Sequence, residues 1–156
     1  MSSVGVSWSQ LAVEAPELAA AVRSRFAVRK HCTLATLRAD GSPRISGTEV
    51  AFTDSDVELG SMPRALKALD LLRDPRCAVH SPTVDPPEGD DAGWPGEAKL
   101  AGRAVEVPGG VAGHPPDSHR FRLALTEAVV TRIGSPADHL VITSWHPGRG
   151  VEEHRR

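Results

Sequence analysis

The chain has 156 residues and a mass of 16.6 kDa, the size of one domain with a core of its own. Hydrophobic residues make up 40%, charged residues 24%, and the formal net charge is −2, which argues against nucleic acid or an acidic membrane as partner. No apolar run approaches the roughly 20 residues of a membrane span and the N-terminus does not read as a secretion signal, so the expected compartment is the cytoplasm.

In chain order, residues 1–30 read as a helical segment. Ser7 and Gln10 form a capping-box pattern, and Leu11, Ala15, Leu18, Ala19, Val22 and Phe26 recur at helical spacing. Pro16 predicts a break, hence two short helices. A barrel is expected over 31–146. It opens with HCTLATLRADGSPRISGTEVAF, two β-prone runs around Asp40-Gly41, a dipeptide suited to a tight hairpin. A third strand is expected from Val57 to Gly60 and a helix from about Met62 to Arg73, ended by Asp74-Pro75. Further strands are predicted at Arg76–Ser81, Glu97–Val107, Glu127–Arg132 and His139–Trp145, with a short helix around Ser118–Leu125. Residues 147–156 read as a tail. Six or seven mostly antiparallel strands with two or three helices make the fold mainly β, a small barrel with helical additions.

Cys32 and Cys77 each sit inside an apolar run. Paired burial as thiols is the favoured reading and a disulfide the alternative. No CxxC spacing occurs, and His114 and His119, five apart, do not share a helix face, so no metal site is expected. Hydrolase and nucleotide signatures are absent too: the chain has no GxSxG, HExxH, GxGxxG or P-loop. Of its 18 basic residues only Lys30, Lys67 and Lys99 are lysine, which lends weight to Lys67 near a helix start.

The ordered set TLATLRADGSPRIS, LGSMPRALKALDLLRDPR and AKLAGRAVEV resembles the flavin-binding split-barrel proteins related to pyridoxamine 5′-phosphate oxidase. The likeness runs from about Ala27 to Val107. It implies a homodimeric split β-barrel that holds FMN, or the deazaflavin coenzyme F-420, in a groove at the dimer interface. The implied activity is two-electron, hydride-transferring redox chemistry on a small organic substrate. A non-catalytic flavin- or haem-binding protein of the same fold is the alternative.

The resemblance places Lys67 at the family's basic position. Ser61 and the N–H groups from Met62 onward would form an anion nest, with Arg64 near enough to share it. Arg44, Ser46 and Thr48 alternate on one face of the second strand and offer a cation and two hydroxyls. Against a ligand role for Lys67 stands a solvated helix that packs Leu66, Leu69 and Leu72 inward. Glu49 lies on the opposite face from Thr48, pointing either away from the cofactor or into a substrate pocket, and Asp70 stands where relatives often have Asn. His80 and Trp94 are the other substrate-pocket candidates, each with a plainer alternative, a capped strand end and a loop tip. Trp145 either covers the cofactor or plugs the barrel end. No residue stands out as a catalytic acid or base.

Overall fold

The computed structural model describes residues 4–156; the first three residues of the N-terminal segment lie outside the described residues. Two helices open the chain, α1 (Trp8–Glu14) and α2 (Pro16–Phe26). Ser7 Oγ accepts the Gln10 N–H at 3.2 Å, and Pro16 occupies the first turn of α2, where its missing N–H costs nothing. Leu11, Leu18, Val22 and Phe26 turn inward, and Phe26 and Trp8 both meet the Phe52 ring edge-on.

The strands are β1 (His31–Leu37), β2 (Pro43–Phe52), β3 (Val57–Ser61), β4 (Arg76–His80), β5 (Glu97–Glu106), β6 (His119–Ile133), β7 (Leu140–His146) and β8 (Gly150–Arg155), and α3 is Leu66–Arg73. All the pairings are antiparallel, in the order β3-β2-β1-β4-β5-β6-β7-β8. A further β3–β6 pairing closes the first six into a barrel and leaves β7 and β8 as an extension. Asp40-Gly41 makes the β1–β2 turn as the dipeptide predicts. Gly41 has φ +85°, and Asp40 Oδ1 accepts both the Ser42 N–H and its hydroxyl. Where β5 bulges at Ala101/Gly102, a Cβ on Gly102 would collide with the Ala124 carbonyl, so glycine is required there.

The structure corrects two expected elements. Ser118–Leu125 is no helix: from His119 on it belongs to the 15-residue β6, in which Phe121, Leu123 and Leu125 alternate into the core. Its Arg, Leu and Ala residues favour helix locally, but pairing with β3 and β5 outweighs that preference. The expected tail contains β8, whose six residues are all exposed and pair along β7.

Cys32 and Cys77 are free and buried. Burial pushes both thiols up, Cys32 to about 11, with the Glu49 charge adding to it, and Cys77 to about 12.

Candidate functional site

A groove with a volume of about 770 Å³ runs along the outer side of β2 and β3. That falls within the usual range for small-molecule sites, about 300–1,000 Å³. Its floor comes from Gly47 to Ala51 and Glu58 to Ser61, and its rim from Met62, Lys67 and the Val111–His114 loop. At Gly47 nothing lies within 4 Å of where a Cβ would stand, so the floor is open there.

Lys67 reaches into the groove from the first turn of α3. Its Nζ donates to the Gly47 carbonyl at 2.8 Å and forms no ion pair among the described residues. Three neighbouring arginines are tied to carboxylates, while Arg64 forms no ion pair among the described residues and lies outside the groove lining. Arg120 forks onto Glu58 at 3.1 and 2.7 Å, and Arg44 and Arg73 both go to Asp70. The helix begins at Leu66, four residues later than expected, because Met62–Ala65 forms a turn closed by Ala65 N–H to the Met62 carbonyl. Ala65 is the N-cap and supplies no side-chain acceptor. The N–H groups of Leu66 and Lys67 therefore have no acceptor among the described residues.

Of the expected cofactor contacts, Lys67, Ser61, Met62 and Thr48 line the groove. The Ser61 hydroxyl makes only a 3.5 Å approach to the Met62 carbonyl and keeps its hydrogen-bonding capacity. Arg44, Ser46 and Thr48 do share a face, but it is the inner one, turned to the barrel and α3. Thr48 is buried, and Arg44 Nε donates to Asp70 Oδ2 at 2.7 Å instead of facing the groove. Arg64 and Ser46 do not line the groove either.

Trp145 is completely buried in the hydrophobic core of its own chain and does not line the groove. His80 and Trp94 are also elsewhere: His80 bridges Glu97 and the Ser81 carbonyl, and the Trp94 indole donates to the Val84 carbonyl. Glu49 does line the groove, at its mouth, with His31 Nε2 at 3.3 Å and Lys30 Nζ at 3.7 Å.

Asp70 is almost fully buried and accepts from Thr36 Oγ1, Arg44 Nε and Arg73 Nη2 at 2.7, 2.7 and 3.0 Å. Burial by itself would raise its carboxyl; the hydrogen bonds from Arg44, then Thr36 and Arg73, overcome this and hold it at about 2. Leu66, Leu69 and Leu72, expected to pack inward, are instead 60%, 42% and 51% exposed, while Ala68, Asp70 and Leu71 are buried. Lys67, three residues before Asp70 and four before Leu71, follows the inward face towards β2.

Sequence reasoning missed His31, Glu58, Arg120 and the Val111–His114 loop as groove residues. The register His31↔Glu49 and Gly60↔Arg120 brings them in, and no local motif carries it. No group of three or more His, Cys, Asp or Glu side chains suited to a metal occurs among the described residues.

No family model matches the chain, and no curated protein matches it. Solved structures do. PhzG from Burkholderia lata, in complex with tetrahydrophenazine-1-carboxylic acid, aligns with a TM-score of 0.64 at 14% identity, covering 94% of this chain and 91% of its own. A pyridoxamine 5′-phosphate oxidase-related, FMN-binding protein from Nostoc punctiforme aligns with a TM-score of 0.64 at 10% identity, covering 95% and 98%. The haem storage protein HutZ from Vibrio cholerae aligns with a TM-score of 0.54 at 16% identity, covering 72% and 89%. The chain therefore has the split-barrel fold of the pyridoxamine 5′-phosphate oxidase-like proteins, and its neighbours in that fold include both flavin-binding and haem-binding proteins.

Proposed function

We propose that this protein is an oxidoreductase that uses FMN or the deazaflavin F-420 for two-electron transfer to a small organic substrate. The observation that carries the reading is Lys67, a cation in an open groove with a carbonyl but no carboxylate for a partner. The first two N–H groups of the same helix lack acceptors and Ser61 lines the same groove, which supports an anionic group such as a phosphate as the ligand of this corner. Lys67, Ser61 and the first turn of α3 would hold the cofactor phosphate; the flavin or deazaflavin supplies the hydride chemistry when bound. Glu49, held at the mouth by His31 and Lys30, lies where it can select substrate. Beside the groove, Ile45, Met62, Leu66, Leu69 and Leu72 form exposed apolar surface, which favours a second copy of the chain as the groove's other wall. No described helix is long and apolar enough to cross a membrane.

FMN and F-420 titrations followed by tryptophan quenching test the reading. Lys67→Ala should weaken binding by about 10-fold or more, the cost of a charge-assisted hydrogen bond. Failure of both cofactors to bind would end the enzyme reading. Binding of haem alone would make the protein a non-catalytic carrier, with His31 and His114 in the groove as the first residues to examine.

A further inference from the structure

Arg64 is the only non-glycine among the described residues with positive φ, at +59°. A side chain in that region is crowded against its own carbonyl, so something must hold the turn in place. Besides the Ala65 N–H to Met62 carbonyl bond that closes the turn, the side chain that holds it is His119 on β6. Its Nε2 accepts the Arg64 N–H at 3.3 Å, so in this contact Nδ1 carries the ring proton and faces Glu106 Oε2 at 3.6 Å. The ring lies parallel to Phe121, with centroids 6.2 Å apart, and is largely shielded from solvent. His119 is also the strand partner of Ser61, so one residue of β6 touches both ends of the turn that carries the chain from β3 into α3. That turn fixes where Lys67 begins its reach to the Gly47 carbonyl.

We propose that His119 is a positioning residue for the anion corner of the groove. By accepting the Arg64 N–H it keeps Met62–Ala65 in the left-handed turn, and so sets the placement of Lys67 and of the free N–H groups of Leu66 and Lys67. This deepens the cofactor reading above and rests on it for its binding test. A merely structural histidine would contribute equally whatever residue stood at position 64; a turn latch matters only while the turn is costly to hold.

The experiment is a double-mutant cycle read by FMN titration, with thermal melts to check folding. His119→Phe keeps an aromatic ring against Phe121 but removes the acceptor, and should weaken FMN binding about fivefold, the worth of one hydrogen bond. His119→Gln retains an acceptor and should stay within about twofold of the parent. In an Arg64→Gly background, where glycine takes the left-handed turn without strain, His119→Phe should cost less than about twofold. Equal losses in the two backgrounds, or a Gln variant as weak as the Phe variant, would overturn the proposal. If the Phe variant does not fold, His119→Ala takes its place in the same cycle.

Should the parent not bind FMN, the cofactor reading fails and the latch is still decided by amide exchange. The Arg64 amide should then exchange about tenfold faster in His119→Phe than in His119→Gln. Equal exchange rates would overturn it.

Discussion

Asp70 offers the sharpest test of how charge is managed behind the groove. In Asp70→Asn the side chain keeps its shape and can still accept from Thr36, but it loses the charge that Arg44 and Arg73 address. A carboxyl moved from 3.8 to about 2, in a side chain only 4% exposed, contributes on the order of 2 kcal/mol to folding at neutral pH. Replacing it also strips the carboxylate from Arg44, whose side chain is only 21% exposed. The expected loss is therefore about 2–3 kcal/mol, or roughly 4–12 °C in melting temperature for a chain of this size.

The pH dependence makes the test specific. Because the folded value lies below the unfolded one, the contribution is fully present above 3.8 and is lost as pH falls through about 2. Urea unfolding of parent and variant across a pH series should show a constant gap above about pH 5 that narrows below pH 4 and closes near pH 2. A gap that stays constant down to pH 2 would mean that shape or packing, and not the charge, accounts for the loss. No gap at pH 7 would show that the two arginines contribute nothing net at this site.

Two further expectations follow from burial. Cys32 and Cys77, held at about 11 and about 12, should resist a thiol-directed disulfide reagent at pH 8 in the native protein and react fully in denaturant; fast native labelling would contradict their placement. Leu69→Glu, at the centre of the exposed Leu66, Leu69 and Leu72 row, should shift sedimentation from dimer to monomer with little change in the melting temperature of the monomer. An unchanged assembly, or a parent that is already monomeric, would remove this face from the dimer proposal.

The barrel was legible because its signals are local. Asp40-Gly41 marks the first hairpin, Pro16 the helix restart, and period-two runs mark β1, β2 and β5. Strand β6 was read in part as helix because Arg, Leu and Ala are permissive, and only its two neighbours impose extension. Strand β8, VEEHR plus its leading glycine, buries no side chain and so leaves no alternation to read. In the groove, Lys67 could be singled out through the family resemblance, whereas His31, Glu58 and Arg120 arrive by cross-strand register. Arg44 shows the opposite error: its residue type and face suited an anion, but the nearest anion is Asp70 of its own chain.

The segment from Met62 to Arg73 breaks several local rules at once. An arginine takes a left-handed turn, an alanine caps a helix without an acceptor, three leucines face outward and an aspartate faces in. Each choice is unfavourable taken alone, and sequences that fold reliably keep such conflicts few. Here the conflicts gather around one groove, and each has an answer nearby. His119 holds the turn, Thr36, Arg44 and Arg73 satisfy the aspartate, and a second chain would cover the leucines. Among the described residues, the Lys67 and Arg64 charges lack a counter-charge and the N–H groups of Leu66 and Lys67 lack an acceptor. An anion would satisfy these groups together, and this supports the proposal that the cation-rich helix start is a binding corner.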